Sequence, residues 1–167
     1  MSARLLYVMD PMCSWCWGFA PVAKALVEQA QAAGVELHLV VGGLRTGSGS
    51  ALEPTTRRYI LEHWQAVTEA TGQPFKFDGA LPDGFVYDTE PACRAIVTAR
   101  SLAPDCAWAL VGLIQQAFYA EGRAVTQASV LVELAEQAGV PRIEFAALFD
   151  HADQHKATCL LYTSDAA

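Results

Sequence analysis

The sequence predicts an α/β fold, a β–α–β unit followed by roughly five helices. Three observations carry this. Two short apolar runs, Arg4–Met9 and Val35–Val41, flank a helical stretch near the start of the chain. Beyond Ser50 the apolar residues recur at helical spacing. Gly or Pro punctuates the joints between these segments.

Arg4–Met9 contains Tyr7 and Val8 and is stopped by Asp10-Pro11, which reads as a strand. Phe19–Ala33 is rich in Ala, Leu, Glu, Gln and Lys and ends at Gly34, the composition and stop signal of a helix. Val35–Val41 alternates at first, then runs continuously apolar to Gly42-Gly43, a second strand. A helical crossover makes the two strands parallel and the connection right-handed. Leu44–Ser50 reads as loop. Glu53–Thr71 sets Tyr59, Ile60, Trp64 and Val67 at helical spacing and ends at Gly72. Gln73–Tyr87 holds Pro74, Gly79, Pro82 and Gly84 and reads as loop. Thr89 is placed to cap a helix over Glu90–Leu102, with Pro91 tolerated in its first turn. Asp105–Tyr119 is apolar nearly all round, as a buried helix is. Thr126 is placed to cap another helix that ends at Gly139. A last one follows Pro141 and carries Phe145, Leu148 and Phe149. Two strands cannot cover themselves, so the helices must pack on them.

The chain has 167 residues, 53% of them hydrophobic, enough for one sizeable core. Its net charge of −7 repels phosphate backbones and anionic lipid, which argues against nucleic-acid and membrane partners. No secretory pattern and no run near the ~20 apolar residues of a membrane span is visible, so a soluble cytoplasmic protein is expected. The five cysteines are an odd number, and only Cys13 and Cys16 lie close together, unlike a secreted disulfide framework.

Asp10-Pro11-Met12-Cys13-Ser14-Trp15-Cys16-Trp17-Gly18 sits between a strand and a helix. Cysteines three apart at a helix start share a face at a spacing a disulfide can bridge. Cys13, at or near the N-cap, would have its thiolate favoured by free amides and the helix dipole. That makes Cys13 the candidate nucleophile and Cys16, one turn in, the resolving thiol. The alternative is half a zinc site. Its best further ligands, His151, His155 and Cys159, are spaced i, i+4, i+8, more often a solvated helical face. Trp15 is expected at an exposed rim and Trp17 in the core. Pro11, Met12, Trp15 and Arg45 form the candidate substrate-binding set, Arg45 following the second strand at the same sheet edge. Asp10 is expected to fold the Asp-Pro loop through backbone amides. Its second reading is a proton acceptor for Cys16. Cys93 and Cys106 read as inert buried thiols. His38 and His63 have no visible catalytic partner.

Asp10–Pro21, together with Gly42-Gly43-Leu44-Arg45 and the long helical stretch, resembles the DsbA family. The similarity is to its branch that resembles FrnE and 2-hydroxychromene-2-carboxylate isomerase, and it extends over about Arg4–Lys156. It implies a thioredoxin-like fold with a large all-helical insertion after the second strand. It also implies disulfide oxidoreductase or isomerase activity through Cys13 and Cys16. The implied partners are thiol or disulfide substrate proteins or glutathione, with no metal or nucleotide and with glutathione as a co-substrate at most. The related glutathione-using isomerases of small aromatic compounds place serine at the first position, so two cysteines favour dithiol exchange. A metal- or partner-binding module is the non-catalytic rival. The expected organisation is residues 1–50 as the β–α–β part, 51–157 as the helical insertion and 158–167 as a non-native tail. The family's cis-proline loop, β-hairpin and final helix are expected to be missing, with Gly139–Phe145, which contains Val140-Pro141, a look-alike of the cis-proline strand entry. The expected result is an open sheet edge, poor stability and little activity.

Overall fold

The computed structural model describes residues 3–47 and 49–164, with side chains through Thr158. Strand β1 (Arg4–Met9) and strand β2 (Glu36–Val41) pair in parallel, from Arg4 opposite Glu36 to Met9 opposite Val41. Helix α1 (Ser14–Ala32) crosses between them. Then come α2 (Pro54–Thr71), α3 (Glu90–Leu102), α4 (Ala107–Gln115), α5 (Ala128–Gln137), α6 (Arg142–Phe149) and α7 (Ala152–Ser164). This is a thioredoxin-like α/β fold with a small sheet and a mostly helical body.

Helix α1 starts five residues earlier than the expected Phe19, because Cys13 is extended (φ −91°, ψ 121°) and caps it. Gly18 and Pro21 disguise its first turns in the sequence. Pro21 has no amide to give to the Trp17 carbonyl. The Gln73 side chain supplies the missing donor, Nε2 to Trp17 O at 2.9 Å. A side chain from the loop after α2 thus repairs α1 one turn behind the cysteines. Gly18 lets the two helices touch there, since a Cβ at that position would lie 2.8 Å from Val67 Cγ1.

Helix α2 ends at Gly72, which is left-handed (φ 74°) as its stop signal requires. The expected buried helix Asp105–Tyr119 is α4 with a tight turn before it (Pro104–Cys106) and a wide one after it (Gln116–Ala120). The Thr126 cap is corrected by one residue. Gln127 is extended and precedes α5. Pro141 leads into α6, and there is no cis peptide bond among the described residues, so the look-alike of a cis-proline entry is a helix start. Residues 158–164, expected as a non-native tail, continue α7 to Ser164.

One buried cluster runs from Met9, Met12, Trp17, Leu39 and Val41 into the helices, reaching Phe145 and Phe149. Its aromatic hub is Trp64, packed edge-on against Phe118 and Tyr119 and tilted against Phe75. Arg94 of α3 is buried, yet it is held by Glu90 (2.8 Å) and the Phe149 carbonyl, with its guanidinium 3.9 Å from the Phe149 ring centroid. A charge so enclosed needs every one of those partners. Arg100 of α3 donates to the Leu39 carbonyl of β2 at 2.6 Å, tying the helices to the sheet. No third strand is present among the described residues, and Leu6 and Val8 of β1 are exposed.

Candidate functional site

The site begins with the Asp-Pro turn. Asp10 Oδ1 accepts the Met12 amide at 2.8 Å, and its carbonyl accepts the Cys13 amide at 3.1 Å. Oδ2 accepts the Leu44 amide at 2.7 Å, so one carboxylate joins the loops after both strands. Burial pushes Asp10 up from the ordinary carboxylate range, and the Leu44 and Met12 amides oppose that shift. This is the loop-folding role. No hydrogen bond joins the carboxylate to either active thiol among the described residues. It reaches Cys13 and Cys16 only through its charge, which raises both.

Cys13 and Cys16 are free, half-buried thiols on adjoining turns. The Cys16 thiol hydrogen-bonds to Cys13 and is the main cause that lowers Cys13, to about 6 from 9.0. The amides of Cys16 and Trp15 add to this, while burial opposes it. Cys16 moves the other way. Its bond to Cys13 keeps its proton on, and burial reinforces that. One sulfur is therefore poised as thiolate and the other as thiol, the arrangement dithiol exchange requires. No acidic side chain stands in the first turn of α1, so nothing there cancels its dipole.

Around Cys13 the helical body contributes residues that the sequence did not single out. Tyr87 Oη donates to the Met12 carbonyl at 2.6 Å, fixing the peptide that enters Cys13. Burial raises Tyr87 and Tyr119 well above the usual phenol range, so both remain hydroxyl donors. Thr89 was expected to cap α3. Its hydroxyl instead accepts the Arg45 amide at 3.1 Å, while its own amide donates to the Arg45 carbonyl at 2.8 Å. Cys93 is buried, as expected, but its Sγ donates to Asp10 Oδ2 at 3.6 Å. Cys106 is half-buried rather than buried. Tyr7 lies behind the pair and is pushed up to about 12 by burial, then by Cys16 and Cys13. The only sequence hint of Tyr87 is a tyrosine in a Gly- and Pro-rich loop just before a helix start.

The candidate substrate-binding residues divide. Trp15 is 51% exposed and forms a rim beside the cysteines. Trp17 is buried, stacked on Tyr119, with Nε1 donating to the Pro74 carbonyl at 3.0 Å. Arg45 is exposed, with its guanidinium 5.5 Å from the Tyr87 ring centroid. Pro11 and Met12 are buried, Met12 completely, so their side chains pack beneath the turn. A groove of about 670 Å³ runs between α1 and α4 and reaches Cys16, lined by Tyr7, Ala20 and Trp108 among others. The histidines of the alternative metal reading are otherwise engaged: His151 Nδ1 is 3.4 Å from Asp153, and His155 Nδ1 is 3.4 Å from Glu90. The Cys159 side chain lies outside the described residues. Among the described residues no three His, Cys, Asp or Glu side chains are grouped to hold a metal ion. No described helix is long and apolar enough to cross a membrane.

A parallel β–α–β unit with two thiols at its strand-to-helix junction defines a thioredoxin-like dithiol protein. The chain belongs to the family of DSBA-like thioredoxin domains, whose family model matches residues 4–158. It is similar to the crystal structure of a candidate protein disulfide isomerase from Nitrosomonas europaea, with a TM-score of 0.90 and 38% identity. That match covers 99% of this chain and 79% of the other. It is also similar to the cytosolic disulfide reductase DsbM from Pseudomonas aeruginosa (TM-score 0.81, 31% identity, 96% and 75% covered). A second DsbM structure, with glutathione, matches at a TM-score of 0.79 and 29% identity, covering 96% and 76%. The ClpXP adapter protein SpxH of Halalkalibacterium halodurans is 27% identical over 141 residues, 82% of this chain and 45% of that protein. The chain thus spans about half the length of that curated relative.

Proposed function

We propose that this chain is a cytoplasmic thiol–disulfide oxidoreductase that uses Cys13 and Cys16 to reduce substrate disulfides at the expense of glutathione. The observation that carries the reading is the opposed ionisation of the two thiols, Cys13 lowered and Cys16 raised, at the start of α1. The likeness to DsbM, described as a cytosolic disulfide reductase and also solved with glutathione, supports the direction and the reductant.

The Cys13 thiolate attacks one sulfur of the substrate disulfide. The S–S bond breaks, the other sulfur leaves as thiolate and takes a proton from water, and a mixed disulfide joins Cys13 to the substrate. With Cys13 no longer anionic, Cys16 loses the interaction that held its proton. It deprotonates and attacks Cys13 Sγ, and the second substrate thiol is released. The two cysteines are now a disulfide, and the substrate has gained two electrons and two protons. Two glutathione molecules restore the dithiol by the same exchange and leave as oxidised glutathione. Asp10 holds the turn, the Tyr87 hydroxyl holds the Met12 carbonyl, and Trp15 offers an apolar surface to a substrate segment.

The test is incubation of the reduced chain with a small mixed disulfide of glutathione, first alone and read by intact mass, then with excess reduced glutathione and coupled detection of oxidised glutathione. The expected outcome is a single glutathione adduct on Cys13 that resolves to the Cys13–Cys16 disulfide, and turnover above the uncatalysed rate. Two thiols that stay reduced under those conditions would overturn the proposal.

A further inference from the structure

We propose that Arg45 is a specificity-determining residue of this dithiol site, selecting thiols that carry a carboxylate, glutathione among them, over neutral ones. The inference rests on the oxidoreductase reading above and adds to it the chemical class of the small thiol. Arg45 is exposed, and no carboxylate pairs with its guanidinium among the described residues. Arg57, Arg94, Arg123 and Arg142 each have an acidic partner, while Arg4, Arg58 and Arg100 share with Arg45 the lack of one among the described residues. Yet Arg45 is not a loose surface side chain. Its amide and carbonyl are both clasped by Thr89, and its guanidinium lies over the Tyr87 ring, whose hydroxyl holds the peptide bond entering Cys13. The cation is therefore anchored at one end of a short chain of contacts whose other end is the peptide bond entering Cys13.

The electrostatics give that placement a purpose. The chain as a whole carries −7, and Asp10 lies buried in the turn that holds the cysteines. Two acidic residues at the start of α3 are turned to other tasks: Asp88 accepts the Glu90 amide and Glu90 pairs with Arg94. An anionic thiol approaching the Cys13–Cys16 disulfide therefore meets a net-negative chain, and Arg45 is the cation placed to offset it. A guanidinium fork matches a carboxylate in two parallel hydrogen bonds, and its stacking on an aromatic face holds the fork in orientation. A peptide thiol with free carboxylates would fit that pairing while its sulfur reaches Cys13. A neutral thiol of the same reactivity would gain nothing from it.

The experiment compares wild type, Arg45→Gln and Arg45→Lys with glutathione and with 2-mercaptoethanol as alternative reductants of the Cys13–Cys16 disulfide. The expected result is that Arg45→Gln lowers the glutathione to 2-mercaptoethanol rate ratio about 3- to 10-fold, through KM for glutathione, the range of one charge-assisted pair. Arg45→Lys keeps part of the ratio, and added salt lowers it in wild type more than in Arg45→Gln. A glutathione with both carboxylates esterified should behave as the neutral thiol does. The Cys13 thiolate titration is measured on each variant as a control, since a general effect on the nucleophile would alter both reductants alike. An unchanged ratio in Arg45→Gln, or an equal loss with both thiols, would overturn the role given to Arg45. Failure of wild type to react with either thiol would instead overturn the oxidoreductase reading.

Discussion

Cys13→Ser is expected to reduce disulfide exchange to the uncatalysed background, while Cys16→Ser is expected to accumulate mixed disulfides with substrate or glutathione. The asymmetry follows from the two sulfurs' surroundings. Cys13 is the sulfur held as thiolate near neutral pH, and a serine hydroxyl there does not ionise. The remaining Cys16 loses its largest cause of proton retention but stays pushed up by burial and by the Asp10 charge, and it sits deeper in the turn, so it is a poor substitute for the first step. In Cys16→Ser the first step survives, because a serine hydroxyl still donates a hydrogen bond to the Cys13 sulfur. Resolution is lost, and the mixed disulfide has no internal exit. Cys16→Ala separates the two contributions of Cys16. It removes the donor that is the largest cause of the lowered Cys13 value, so the Cys13 titration should move upward relative to Cys16→Ser. The measurement is intact mass after reaction with a model disulfide, with stopped-flow alkylation for the titration. Equal adduct formation by Cys13→Ser and wild type would refute the assignment of nucleophile.

Trp64→Ala is expected to cost about 3–5 kcal/mol of stability, the range for deleting a buried large aromatic side chain. Trp64 is 2% exposed and its ring centroid lies 5.1 Å from Tyr119, 5.4 Å from Phe75 and 5.7 Å from Phe118. Phe75 and Phe118 are each packed edge-on against Tyr119, so these described neighbours close the space only in part. Domains of this kind hold only about 5–15 kcal/mol in all, so the variant should unfold at a much lower denaturant concentration. The damage should also reach the site. Tyr119 stacks on Trp17 in the first turn of α1, and Tyr119 Oη lies 3.5 Å from Tyr87 Oη. A folded remnant of Trp64→Ala should therefore show a less depressed Cys13. Chemical denaturation followed by tryptophan fluorescence and far-ultraviolet dichroism reads the first effect. A loss below about 1 kcal/mol would show that the hub is not where the core energy lies.

The sequence carried the β–α–β unit and the dithiol because both are local. Strand periodicity, the Asp10-Pro11 stop and the Gly34 stop need no tertiary information, and Cys13 to Cys16 is one helical turn. The first turns of α1 were obscured by Gly18 and Pro21, whose presence is explained only by Val67 and Gln73 far along the chain. Thr89 read as a cap on local rules, yet a distant amide, that of Arg45, claimed its hydroxyl. Met12 looked available to a ligand because it adjoins Cys13, but the turn that Asp10 imposes drives its side chain into the core. Tyr87 was illegible because its contacts are long-range, its hydroxyl reaching the Met12 carbonyl across 75 residues of separation. What the sequence hid, then, is the set of long-range contacts by which the helical body grips the thiol loop.

Titration of the Cys13 thiolate by its ultraviolet absorbance, on the reduced chain with Cys13→Ser as the blank, tests the central claim most directly. A folded value below the unfolded one means that the unfolded chain binds more protons between about 6 and 9.0, so Cys13 makes the reduced protein more stable as pH rises through that window. That contribution is lost as pH falls through about 6. Above 9.0 the raised Cys16 acts in the opposite sense. The predicted result is a single thiolate appearing with a midpoint near 6, with the rate of alkylation following the same curve. A midpoint at the ordinary thiol value of 9.0, with both sulfurs ionising together, would contradict the account.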